Sequence, residues 1–206
     1  MTDKLYLYPI WIRLWHVFNA LLFLTLIFTG LSMQYSTPEN PLIRFDIAVS
    51  IHNASGILIT ANYFFFFIGN LVTPNGRYYK TTVRGIFDRL LIQFRYYTSG
   101  IFKGAKVPFP ITKDRKFNPL QQFTYLGAMY LLLPLMVITG WALLYPEILF
   151  KSLLGMSPLR INDFIHIVAG FLASIFMCIH VYFCTIGSTF VSSFKSMING
   201  YHEIHK

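Results

Sequence analysis

The chain has 206 residues, of which 55% are hydrophobic, 18% aromatic and only 12% charged. Soluble domains carry about 25% charged residues, so composition argues against a soluble globular fold, a disordered chain and a nucleic-acid-binding protein. An excess of 17 Lys and Arg over 8 Asp and Glu in so apolar a chain points to an integral membrane protein with its charge gathered on one side.

Four stretches contain no Asp, Glu, Lys or Arg: Leu14 to Pro38, Ile47 to Gly76, Phe117 to Pro146 and Phe164 to Phe194. Each is longer than the roughly 20 residues a helix needs to cross a bilayer. Backbone polar groups in lipid must be satisfied within the segment, so helix is the conformation expected. Membrane-spanning cores are predicted near residues 11–33, 48–71, 123–145 and 164–186. Ser36-Thr37-Pro38, Thr73-Pro74-Asn75-Gly76 and Tyr145-Pro146 close the first three. A cleaved signal peptide is not expected, because the first apolar run is long and lacks a small-residue cleavage site. The expected fold is all-α, a single membrane domain over residues 1–206 built as a four-helix bundle.

The loop over residues 72–122 separates the second and third spans. Within it, from Thr82 to Tyr97, Ile86, Phe87, Leu90, Leu91 and Phe94 recur at helical spacing. Arg84, Asp88, Arg89 and Arg95 fall between them, the pattern of an amphipathic helix lying on the membrane surface. Basic residues set the topology. Lys4 and Arg13 precede or open the first span, ten lie from Arg77 to Lys116, and Lys195 and Lys206 follow the fourth. Only Arg44, Lys151 and Arg160 belong to the other two loops, a division of 14 against 3. The positive-inside rule then places both termini and the long loop in the cytoplasm. Cys178 and Cys184 form no CxxC or CxxCH, so they are read as small buried hydrophobes.

Four of the six histidines, His16, His52, His166 and His180, fall inside predicted spans; His202 and His205 lie in the polar tail. An ionisable residue in a span is costly and is a functional candidate. With the topology above, His16 and His180 lie toward the cytoplasmic side, and His52 and His166 toward the outer side. His166 and His180 are fourteen residues apart, within about 40° of one helix face and about 21 Å apart in rise. The four therefore sort into two pairs, His52 with His166 and His16 with His180. Facing imidazoles in an apolar bundle are what bis-histidine haem ligation requires. Zinc fits less well, because structural zinc wants four ligands at one point.

Gly56 and Gly170 follow His52 and His166 at i+4 and are candidates for packing a flat macrocycle; Gly30 and Gly140, each preceded by Thr, are others. Each also suits close helix packing in a membrane. Arg13 lies one turn before His16 and suits either a haem propionate or an interfacial anchor. Asn118 suits a helix N-cap before the third span.

The motifs are R-L-W-H (Arg13 to His16), T-G-L-S-M (Thr29 to Met33), I-H-N-A-S-G (Ile51 to Gly56) and K-F-N-P-L-Q-Q (Lys116 to Gln122), followed by V-I-T-G-W-A-L (Val137 to Leu143) and D-F-I-H (Asp163 to His166). Together they resemble the di-haem cytochrome b subunits of bacterial formate dehydrogenases, nickel-iron hydrogenases and thiosulfate reductases, related to prokaryotic cytochrome b561. The resemblance covers nearly the whole chain. It implies two haem b groups, ligated by His52/His166 and His16/His180, and a quinone (menaquinone or ubiquinone) reacting near the cytoplasmic haem. It also implies an Fe–S or multihaem c-type redox subunit docked on the outer face. Asn118 and Gln121 match the family's quinone-site position, where Pro119-Leu120 replaces smaller residues. The expected role is electron transfer between that subunit and the quinone pool. A self-standing cytochrome b561-type quinone oxidoreductase is the alternative. From another class comes a haem-free scaffold or transporter whose histidines serve protons or metal.

Overall fold

A computed structural model describes residues 3–37, 39–148, 157–186 and 189–204. Pro38, Lys151, His205 and Lys206, used above for turns and charge, lie outside the described residues. Four long helices dominate: α1 (Ile10–Tyr35), α2 (Phe45–Val72), α4 (Pro119–Leu144) and α5 (Pro158–Cys184). Two short ones, α3 (Ile86–Arg95) and α6 (Ser192–Asn199), lie outside the spans. The fold is the all-α membrane bundle expected; every long helix starts before its predicted core, and α4 and α5 end at Leu144 and Cys184, just short of the predicted 145 and 186.

The helix starts follow from local chemistry. Pro119 and Pro158 occupy first helical positions, where a missing N–H costs nothing. Asn118 caps α4 through a reciprocal box, its Oδ1 accepting from the Gln121 amide at 2.9 Å while Gln121 Oε1 accepts from the Asn118 amide at 3.2 Å. Inside α4 the backbone widens to π geometry over Ala128–Leu132, just before Pro134. Pro134 cannot donate to the preceding turn, and the wider turn absorbs that loss.

The molecule is apolar outside and partly polar within. Phe28, Phe64, Ile138, Phe164 and Phe171 are exposed on the long helices, while Thr29, Ser32, Ser55, Asn62, Thr139 and Asn162 are buried. Lipid tails are as apolar as Leu, so helix association here relies on packing and interhelical hydrogen bonds. Trp15 illustrates both, stacking on Phe66 at 4.3 Å and donating its indole N–H to the Asn62 carbonyl at 3.0 Å. The inverted solvent also corrects one expectation. Cys178 is exposed and Cys184 half-buried, because an apolar side chain gains little by facing inward when lipid lies outside.

One end of the bundle gathers both chain ends and the long loop. Strands β1 (Asp3–Tyr6) and β2 (Tyr201–Ile204), not foreseen from the sequence, pair antiparallel. The Leu7 and Tyr8 amides both donate to the Gly200 carbonyl. Gly200 has φ +86, and a Cβ there would lie 2.7 Å from the Tyr6 ring, so only glycine fits. Arg13 donates to the Ile198 carbonyl at the same end. The surface helix predicted over 82–97 is present as the shorter α3. It begins after Gly85 in the left-handed region and leaves Phe87 and Phe94 exposed.

Candidate functional site

The long helices pair as two hairpins, α1 on α2 and α4 on α5, with few direct contacts between the hairpins. The four span histidines sit at that sparse seam and come together as the sequence predicts. His16 of α1 faces His180 of α5 with ring centres 6.1 Å apart and planes at 49°. His52 of α2 faces His166 of α5 at 6.3 Å and 74°. Helix α5 thus gives one imidazole to each pair. Two imidazoles binding one iron from opposite faces hold their ring centres about 6 Å apart, given metal–nitrogen bonds of about 2 Å. Both pairs meet that condition, and the open seam suits a flat macrocycle, so the residues present fit haem. Among the described residues no group of three or more His, Cys, Asp or Glu converges, as structural zinc would need.

The two hairpins repeat one supporting device. Thr29 Oγ1 lies 2.8 Å from His52 Nδ1, and Thr139 Oγ1 lies 2.8 Å from His166 Nδ1. Each hydroxyl already donates to a backbone carbonyl one turn back, Thr29 to Thr25 and Thr139 to Leu135, both at 2.7 Å. With its one proton on the carbonyl, each hydroxyl presents its oxygen to Nδ1, the arrangement that suits a histidine carrying its proton there. That leaves the Nε2 lone pair free for a metal. The adjoining glycines bring the helices close. A Cβ on Gly30 would meet His52 Cε1 at 3.6 Å, and one on Gly140 would meet His166 Cε1 at 3.3 Å.

The basic-end pair is supported differently. Tyr125 Oη lies 3.4 Å from His180 Nδ1, and Phe176 stacks on the His180 ring at 5.8 Å. Cys184 Sγ lies 3.8 Å from His180 Nε2.

The remaining candidates divide. A Cβ on Gly56 would meet nothing within 4 Å, and one on Gly170 would meet only the Met136 methyl at 3.6 Å. It is Gly30 and Gly140 that lie against the His52 and His166 rings. Arg13 is half-buried near the bundle end, and its Nε is buried without a partner. Asn118 and Gln121 form the α4 cap, and Asn118 Nδ2 also donates to Tyr97 Oη at 2.9 Å. Sequence reasoning missed the threonine hydroxyls, although the repeated Thr-Gly pair was their signal. It also missed Lys116, 3% exposed, with Nζ 3.0 Å from Asn75 Oδ1 and 4.5 Å from the Tyr8 ring centre. Burial pushes the Lys116 ammonium down to about 7 and the Tyr8 phenol up to about 12.

Comparison with known proteins agrees with this geometry. Residues 7–200 match the family described as prokaryotic cytochrome b561. A protein of Escherichia coli (strain K12) named "Putative cytochrome YdhU" is 38% identical over 201 residues, covering 98% of this chain and 76% of that relative. With four apolar spans and paired histidines between them, the chain belongs to the prokaryotic cytochrome b561 family and is a membrane cytochrome b.

Proposed function

We propose that this cytochrome holds two haem b groups and carries electrons between the membrane quinone pool and an extracytoplasmic redox subunit. The observation that carries the reading is the pair of histidine spacings, 6.1 and 6.3 Å, set at two levels of one helix. Bound haem supplies reversible one-electron transfer, while the protein supplies ligation, spacing and local field. His52 and His166 hold one group and His16 and His180 the other. Thr29 and Thr139 keep the first pair in the ligating tautomer. On α5, fourteen residues of helix set the two levels about 21 Å apart, a large part of the hydrocarbon thickness.

The side assignments follow the charge. The long loop, with its ten basic residues, packs through Lys116 against Tyr8 at the end where β1 and β2 pair, and the positive-inside rule puts that end in the cytoplasm of a bacterial cell. His52 and His166 then face the outer subunit, an Fe–S or multihaem c-type protein. Quinone meets the His16/His180 end, with Asn118 and Gln121 as candidate contacts and Arg13 as a propionate partner. Gly56 and Gly170 leave room along the seam. Carrying one charge across the membrane is worth about 2.3 kcal/mol per 100 mV, so electron flow through two stacked sites couples to membrane potential.

Pyridine haemochrome quantitation on protein from a haem-sufficient host tests the core of this reading. Two b haems per chain are expected, with His52→Ala or His166→Ala removing one and His16→Ala or His180→Ala the other. A stable one-haem or haem-free wild type overturns it. Pull-down from native membranes tests the partner. A copurifying Fe–S or c-type haem protein supports the subunit role, and none supports a self-standing quinone oxidoreductase.

A further inference from the structure

At the basic end, the long loop forms a half-open cavity of about 150 Å³ that the electron-transfer reading does not use. Arg77, Lys80, Arg89, Arg115 and Lys116 line it, and Asp114 is the one acidic residue among its lining groups. Several of these cations are fixed in place by neutral groups. Arg77 donates to the Lys113 carbonyl, Arg89 to the Arg84 carbonyl and Arg115 to the Pro110 carbonyl. Lys116 is buried on Asn75 and aromatic faces, with no carboxylate partner among the described residues. A buried cation held only by neutral groups is costly, and an anion is what would compensate it.

Beside this cavity runs an apolar groove of about 440 Å³, lined by Phe87, Leu90, Leu91, Phe94 and Leu120. The two are contiguous in sequence. Arg89 lies between Phe87 and Leu90 on α3, and Leu120 follows Pro119, which also lines the cavity. An anionic head beside an aliphatic tail is the shape and charge this pairing fits. A neutral quinone head would leave the excess of five cations over the one carboxylate, Asp114, uncompensated. Diffuse attraction of basic loops to anionic membranes needs no cavity, whereas here the charges converge.

We propose that the cavity and groove form a binding site for an anionic phospholipid, with its phosphate among Lys80, Arg115 and Lys116 and an acyl chain along α3. The site is independent of haem. It also accounts for the exposure of Phe87, Leu91 and Phe94 on α3.

The test uses the full-length cytochrome, delipidated in detergent and titrated under native mass spectrometry. The probes are phosphatidylglycerol, phosphatidylethanolamine of the same chain length, and inorganic phosphate. One phosphatidylglycerol per chain is expected, bound at least fivefold tighter than phosphatidylethanolamine. Lys80→Gln or Arg115→Gln should each weaken it about fivefold, the effect of about one surface charge. The Lys103→Gln/Lys106→Gln double variant removes two exposed charges from the same loop outside the cavity and should leave binding intact. Lys116→Met should also weaken binding; if it does not fold, Lys80→Gln and Arg115→Gln decide. Equal weakening by Lys103→Gln/Lys106→Gln would show diffuse attraction and overturn the site. Inorganic phosphate displacing the lipid at equal concentration would show a soluble-anion site and overturn the lipid assignment.

Discussion

Thr29 Oγ1 lies 2.8 Å from His52 Nδ1, and Thr139 Oγ1 lies at the same distance from His166 Nδ1. Both ligands of one proposed haem are therefore oriented by a threonine on the preceding long helix. At metal sites such partners fix ring orientation and raise ligand basicity, and their loss costs about 10–100-fold in affinity. Thr29→Val and Thr139→Val should each loosen haem at this pair by that order and shift its midpoint potential and EPR signature. Thr29→Ser and Thr139→Ser should restore them. The signature of the His16/His180 haem should not move. Unchanged potentials in both valine variants would show that the threonines only pack.

The glycine beside each threonine should respond unequally. A Cβ at Gly140 would come within 3.3 Å of His166 Cε1, tighter than ordinary contact, while at Gly30 the distance to His52 is 3.6 Å. Gly140→Ala should displace the His166 ring by a few tenths of an ångström and alter the low-temperature absorption of that haem. Gly30→Ala should be nearly silent. Low-temperature reduced-minus-oxidised spectra of the two variants check the order.

Asn118 can be tested for the role it visibly has and the one proposed for it. Its Oδ1 caps α4, and its Nδ2 donates to Tyr97. Asn118→Ala should lower stability by about 1 kcal/mol, the usual worth of an N-cap. Asn118→Asp keeps a good cap but loses the amide donor. Thermal unfolding should recover in Asn118→Asp while quinone-dependent haem oxidation stays impaired. Recovery of both would leave Asn118 with the cap alone.

Lys116 should give the delipidated protein an alkaline stability increment. Burial depresses its folded-state value to about 7, against an unfolded value of 10.5. Between these the unfolded chain binds more protons, so stability rises with pH across that window and is flat in this term outside it. Below about 7 the folded protein carries the full cost of a buried ammonium. Thermal unfolding in detergent from pH 6 to 11 should show this rise in wild type and lose it in Lys116→Met. Bound anionic lipid should flatten it by stabilising the charged form.

The sequence alone determined the membrane class, the four spans, the clustering of charge and the pairing of four histidines. Each is one-dimensional information. Span length follows from bilayer thickness, the clustering of charge from counting residues along the chain, and histidine depth from position along a helix of fixed rise. Only the tertiary structure decided which groups touch the ligands. Gly56 and Gly170 share a helical face with His52 and His166, yet a helix crossing turns neighbouring faces together, so Gly30 and Gly140 of the partner helices lie against the rings. The threonine hydroxyls reach across the same crossings. Lys116, read from sequence as one more loop charge, is buried because the loop folds back on Tyr8 and Asn75. Contacts between segments far apart in sequence depend on packing angle and rotation, which periodicity does not encode.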